Sequence, residues 1–468
     1  MAEESKTQAE QLREKLFYET KHSALKQSDE EIETAFRYCE KYKDFLGRSK
    51  TEREVVNFAV RAAEKAGFEP FDRSRKYEKG SRVYLNNRGK AIILAVVGER
   101  PLSEGVRIAA AHIDSPRLDL KQNPLYEDAE LAQLKTHYYG GIKKYQWTTI
   151  PLALHGVIFR CDGTKLEVSL GEDAGDPQFC VTDLLPHLAA EQMKKPLMSA
   201  IPGETLNVVV GSLPFRDDKA SELVKLNILK LLNEKYGIVE SDFISAELTM
   251  VPAGRPVDIG FDRSLIGAYG HDDKVCAYPA LTALLDAGVP PVTSVCILTD
   301  KEEIGSDGNT GLQSAYLRYF IADLARPWGL EGRDVLSRST CLSADVSAGF
   351  DPNYPDVMEK RNAAFVNRGV AVNKYTGSRG KYSTNDASAE YTHKVLSLFD
   401  RENIPWQMAE LGKVDAGGGG TVAMYIANLD VDVIDVGVPV LSMHAPFELV
   451  SKLDVYAAYQ AFGAFFRS

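Results

Sequence analysis

Hydrophobic positions along the chain follow two rhythms. Up to about Gly67 they recur at helical spacing. A mixed amphipathic stretch covers 11–21. Ser28 followed by Asp29, Glu30 and Glu31 reads as a capped helix start. Over 49–66, Val55, Val56, Phe58, Ala59 and Ala62 repeat the helical spacing. The second rhythm is the short, nearly continuous apolar run. It covers 91–97 and 106–111 and suits strands buried on both faces. From about 120 to 252 shorter strand-like runs (148–159, 165–170, 205–210) accompany one helix at 220–236. Buried-strand runs return at 294–299, 341–344 and 431–440, with helices expected at 274–287, 312–325, 387–400 and 446–466. The aromatic residues of the last helix read as core.

Strands alternating with helices predict an α/β fold, a mixed sheet covered by helices on both faces. Its domain is expected in two pieces, 1–119 and 256–468, with a smaller β-rich domain inserted at 120–255. Gly417 to Gly420 lack the Lys-Ser/Thr that completes a phosphate loop. Close backbone approach is the better reading, before a helix-like run at 421–426.

Composition narrows the field. The 468 residues are 44% hydrophobic and 26% charged, as in ordinary globular chains. Acidic residues outnumber basic ones by 66 to 55, for a net charge of −11, which argues against a general nucleic-acid or anionic-membrane binder. No apolar run reaches membrane-spanning length, and residues 1–19 lack the apolar centre of a signal peptide. The six cysteines form no CxxC pair and read as reduced and mostly buried, pointing to the cytoplasm.

Candidate chemistry collects behind the apolar strands. The run 106–111 is followed by His112-Ile113-Asp114, and 294–299 by Asp300-Lys301-Glu302-Glu303. The run 341–344 is followed by Asp345, and 431–440 by Leu441-Ser442-Met443-His444. Sites in open α/β sheets form beyond the carboxyl ends of strands, so four such endings carry weight that one would not. Histidines and carboxylates without thiolates suit a zinc-class hydrolytic site. A two-metal site needs a bridging carboxylate, which Asp272-Asp273 at the start of the next helix offers. Glu302-Glu303 offers one carboxylate for metal and one for a proton. Asp114, on the same side of an extended segment, is placed to hold the far nitrogen of His112.

The ordered motifs AAHIDSP, GHDDKVCAYPAL, DKEEIGS, SADVSAGFDPNYP and VLSMHAP resemble the aspartyl aminopeptidase family, which includes vacuolar aminopeptidase I, over nearly the whole chain. The resemblance implies a dinuclear zinc exopeptidase that removes an acidic or neutral N-terminal residue from peptides with a free N-terminus. It implies two zinc ions per subunit, with cobalt or manganese as alternatives. His112 and Asp345 would bind one ion, Glu303 and His444 the other, and Asp272 would bridge them. Glu302 would be the general base and acid. The inserted domain would serve dimerisation within a tetrahedral dodecamer. His187, in Thr182 to His187, would enter a neighbouring subunit's site. Lys374 and Lys381, with Arg379 nearby, are candidates for contacting an acidic substrate side chain. Rival functions are a related dinuclear zinc carboxypeptidase or deacylase, and a silent oligomeric scaffold.

Blander readings compete. Asp273 is expected to cap its helix and His271 to be structural. His22, His137, His155 and His393 are expected to lack acidic neighbours in a site-like setting, with His22 and His393 on the surface.

Overall fold

A computed structural model describes residues 6–217 and 219–468. A nine-stranded sheet organises the larger part. Across it run Glu69–Pro70, Arg82–Asn87, Ala91–Val96, Ser294–Thr299, Arg107–His112, Thr340–Ser343, Asp432–Gly437, Val370–Asn373 and Trp406–Met408. The four strands from Ser294–Thr299 to Asp432–Gly437 are mutually parallel, with antiparallel neighbours on either side. Their carboxyl ends therefore open on one edge.

The apolar runs are continuous because both faces are covered. Successive side chains of a strand point to opposite faces. Ile92 and Leu94 meet the helices Asp29–Arg48, Glu52–Lys65, His271–Asp286, Ala389–Arg401 and Lys452–Arg467 in one core. Ile93 and Ala95 meet Tyr316–Ala325 and Ala423–Ala427 in another. Phe462, Phe465 and Phe466 are buried in the first core, each stabilising it by roughly 1.5–3 kcal/mol.

A second, seven-stranded antiparallel sheet runs Lys165–Leu170, Leu152–Phe159, Glu247–Pro252, Arg117–Asp128, Leu131–Tyr139, Val208–Gly211 and Cys180–Val181. The helix Leu223–Tyr236 packs on it around Leu118, Leu154, Val168 and Met250, and Tyr269 joins this core from outside the sheet. The hairpin of Arg117–Asp128 and Leu131–Tyr139 is the longest pairing here and was not anticipated from the pattern. Charged residues stud its strands, and the register slips between Leu120 and Leu125, where Pro124 interrupts the ladder.

A five-stranded sheet joins Val257–Ile259, Leu265–Ala268, Glu448–Ser451, Pro439–Leu441 and Ser347–Ala348. It corrects two expectations. The run 431–440 splits into strands in different sheets. The residues after Pro446 form a strand against Leu265–Ala268 before the helix begins at Lys452, capped by Ser451. The first helix is Gln8–Leu16, earlier than expected, because Thr7 and Glu10 make a capping box. Among the described residues no helix is long and apolar enough to cross a membrane.

Candidate metal centre

The shared edge of the parallel strands gathers the candidates. His112 closes Arg107–His112, and the turn Glu302–Ile304 follows Ser294–Thr299. Asp345 follows Thr340–Ser343, and His444 follows Pro439–Leu441. Asp272 enters from the first turn of His271–Asp286. Non-glycine residues adopt left-handed backbone here, among them Lys301 (φ +68°), Ser442 (φ +59°) and His444 (φ +64°). Each costs about 1–2 kcal/mol, offset by nearby bonds. The amides of Glu302 and Glu303 donate to Asp114 at 3.2 Å, and that of His444 donates to Glu448 Oε1 at 2.8 Å.

Both histidines are oriented from behind. His112 Nδ1–H donates to the Asp114 carbonyl at 3.0 Å and lies 3.3 Å from its carboxylate. His444 Nδ1–H donates to the Gly141 carbonyl at 2.9 Å. Carbonyl oxygens only accept, so each ring carries its proton on Nδ1 and turns Nε2 inward. His112 Nε2 is 3.0 Å from Asp272 Oδ1 and 3.8 Å from Asp345 Oδ1. His444 Nε2 is 3.2 Å from Asp272 Oδ2 and 3.8 Å from Glu303 Oε2. Asp272 thus offers one oxygen to each histidine. Glu302 Oε2 stands 4.0 Å from His112 Nε2. Ligand atoms of His112, Asp272 and Glu303, and of His112, Asp273 and Asp345, lie within 4.8 Å of one another.

The electrostatics call for cations. Burial pushes Asp273 up to about 8 and Glu302 up to about 7, and lifts Glu303 and Asp345 well above the usual carboxylate range. Asp272 is buried too, yet His112 and His444 hold its carboxyl below that range. Against the burial penalty, Asp114 and Asp272 lift His112, and Asp272 and Glu303 lift His444 to about 10. Both oxygens of Asp273 and Oε1 of Glu303 are buried without a hydrogen-bond partner. A buried, unpaired carboxylate costs on the order of several kcal/mol, and a coordinated cation removes that cost. The donor set of imidazole and carboxylate fits zinc.

Four partners were absent from the sequence reading. Glu448 accepts from the Asp272 amide (3.1 Å) as well as that of His444, and burial pushes it up to about 8. Tyr139 Oη donates to Asp114 Oδ2 at 2.7 Å. Lys274 donates to Ser115 Oγ at 2.6 Å, and Ser115 Oγ donates to the Asp272 carbonyl at 2.6 Å. An acid four residues after His444 was the available signal for Glu448, and Ser115 and Lys274 stand inside the motifs AAHIDSP and GHDDKVCAYPAL; Tyr139 carried no signal.

Three further residues lie away from the cluster. His187 is exposed on the seven-stranded lobe. Lys381 bonds Asp386 at 3.0 Å and sits 3.8 Å over the Tyr375 ring, lining a cavity of about 370 Å³ with Arg379 and Lys413. Lys374 is half-buried beyond Val370–Asn373.

Two expectations are corrected. Asp273 does not cap its helix: Gly270 holds the cap position and the Asp273 oxygens accept nothing, because the side chain turns into the cluster. His155 does have acidic neighbours, brought by tertiary packing: Nδ1 is 2.8 Å from Glu54 and Nε2 3.1 Å from Glu172. His271 is buried between Tyr42 Oη (2.8 Å) and the Ile266 carbonyl (3.2 Å), with its pKa pushed down to about 3 by burial.

A parallel-sheet edge holding two inward-facing histidines among buried carboxylates defines a metal-dependent hydrolase. The family model for Aminopeptidase I zinc metalloprotease (M18) matches residues 45–466. The chain is 50% identical over 458 residues to the probable M18 family aminopeptidase 1 of Clostridium acetobutylicum, covering 96% of this chain and 98% of that protein. Identity to the Thermotoga maritima protein of the same description is 46% over 438 residues, 92% of this chain and 95% of that one. The crystal structure of the M18 aminopeptidase from Thermotoga maritima superposes with TM-score 0.92 at 44% identity, covering 96% and 99% of the two chains. That of aminopeptidase I from Clostridium acetobutylicum gives 0.91 at 46%, covering 97% and 100%. The chain belongs to the M18 family and is a zinc metallo-aminopeptidase.

Proposed function

We propose that this aminopeptidase works with two zinc ions bridged by Asp272. The observation that carries this reading is the aim of the two Asp272 oxygens, one at each histidine Nε2. His112 and Asp345 would hold one ion, and His444 and Glu303 the other. Cobalt or manganese would suit the same oxygen and nitrogen donors. When bound, the ions lower the pKa of water and polarise the scissile carbonyl. Glu302, largely buried and pushed up to about 7 by that burial, takes the proton of the attacking water and returns it to the leaving amine. Asp114 fixes the tautomer of His112.

We further propose that the 120–255 segment is an oligomerisation unit. It exposes Leu184, Leu185, Leu188, Met193 and Met198 around His187, an apolar patch that assembly would cover. Assembly would bring His187 into a neighbouring subunit's site. A structural neighbour from yeast is a dodecamer, at 21% identity. A tetrahedral dodecamer is the assembly we propose here. Lys374 and Lys381, with Arg379 nearby, are the cations we propose for an acidic substrate side chain; a neutral one would be accepted without them. Six unpaired cysteines, four of them buried, support a cytoplasmic setting.

The test is release of the first residue from peptides beginning with Asp, Glu, Leu, Lys or Ala, each beside its acetylated twin, with zinc counted per subunit. Cleavage of free-amine peptides alone, lost on chelation and restored by zinc, with two ions per subunit, is expected. A single ion at full activity would sink the bridged reading.

A further inference from the structure

The inserted lobe reaches its own subunit's metal centre, through the end of its first hairpin. Arg117–Asp128 leaves the central sheet just after His112 and Asp114, and Leu131–Tyr139 returns antiparallel with Tyr139 paired opposite Arg117. The return therefore ends beside Asp114. Three consecutive residues then touch three different members of the site. Tyr139 Oη donates to Asp114 Oδ2 at 2.7 Å. Gly140, at φ +78°, leaves so little room that a Cβ there would stand 3.1 Å from Glu303 Oε2. The Gly141 carbonyl accepts from His444 Nδ1 at 2.9 Å, and a Cβ on Gly141 would stand 3.3 Å from that nitrogen. The Arg117 guanidinium, bonded to buried Glu52 at 3.0 Å, lies 4.1 Å over the Tyr139 ring and keeps the phenol in place.

We propose that Tyr139-Gly140-Gly141 is a positioning segment, by which the inserted lobe sets the orientation of ligands at both ion sites of its own subunit. Tyr139 acts through Asp114, whose two oxygens also hold the amides of Glu302 and Glu303, so one phenol steadies His112, the base and a ligand together. Gly141 acts through the tautomer of His444. Groups that orient metal ligands in this way typically change metal affinity about 10–100-fold when removed.

The inference rests on the two-zinc reading, and the experiment separates the two. Zinc retention by the full-length enzyme is titrated against a chromophoric chelator, for wild type, Tyr139→Phe, Gly141→Ala and the neighbouring control Tyr138→Phe. The melting temperature of each metal-free form and the visible spectrum of each cobalt form are recorded alongside. Tyr139→Phe and Gly141→Ala are expected to bind zinc about 10–100-fold more weakly and to shift the cobalt bands. Tyr138→Phe should match wild type, and the metal-free forms should melt together. Wild-type retention and spectra in both variants would overturn the positioning role while leaving two zinc ions in place. Weaker binding that merely tracks a lower metal-free melting temperature would overturn it as well. Wild type without tight zinc would bring down the two-zinc reading and this inference together. Should Tyr139→Phe not fold, Gly141→Ala decides alone.

Discussion

The cluster around His155 and the one around His112 and His444 differ in how their charge is closed. His155 sits between Glu54 and Glu172, and Lys50 stands 3.5 Å from Glu172. The second oxygen of Glu54 accepts from the amides of Lys50 and Thr51, and that of Glu172 from Gly254. Two carboxylates face two cations, and the donors and acceptors are matched. Around His112 and His444 the same residue types are arranged differently. The Nδ1 atoms are spent on carbonyls, Nε2 faces carboxylates, and oxygens of Asp273 and Glu303 have no partner. A buried histidine between acids is therefore not in itself a metal site. The unmatched acids gathered around His112 and His444 are what leave room there for a further cation.

Glu302→Gln should lower kcat by about 10²–10⁴-fold, the usual worth of a general base, with zinc content and melting temperature unchanged. Rates within tenfold of wild type would remove Glu302 from the mechanism. At the other cluster, His155→Ala should cost about 3 kcal/mol of stability, read from urea midpoints, because it strands two carboxylates. Zinc content should not move; a loss of zinc would mean that the two clusters are coupled.

The His155 cluster also responds to pH. Despite the burial penalty, Glu172 and Glu54 lift His155 to about 9. A pKa raised in the folded state gives stability that is fully present below the unfolded value of about 6.5 and is lost as pH rises through about 9. The gap between wild type and His155→Gln should therefore be widest near pH 6 and shrink by about 2–3 kcal/mol by pH 10. A gap unchanged across that range would show that His155 is held neutral.

Much of the larger sheet was legible in the chain. A strand covered on both faces must be apolar at every position, so 91–97, 106–111 and 294–299 announced themselves. The parallel arrangement sends the strand ends that carry His112, Glu302, Glu303 and Asp345 to one edge; His444 reaches that edge from Pro439–Leu441 of the five-stranded sheet. The hairpin ending at Tyr139 could not be read, because one of its faces is wet and Pro124 interrupts it. Glu448 was hidden inside an expected helix that opens as a strand. Adjacent Asp272 and Asp273 looked alike as cap or ligand, and only the turn of the backbone separated them.

The buried strands, the helices between them and the acids and histidines near their ends are written in the chain, since periodicity and residue type are local properties. Tertiary structure alone decided which oxygen faces which nitrogen, that Tyr139 and Gly141 return to the site, and that His155 is closed by Glu54 and Glu172. Those contacts join residues distant in the chain, and their energies depend on burial and charge balance that no local pattern records.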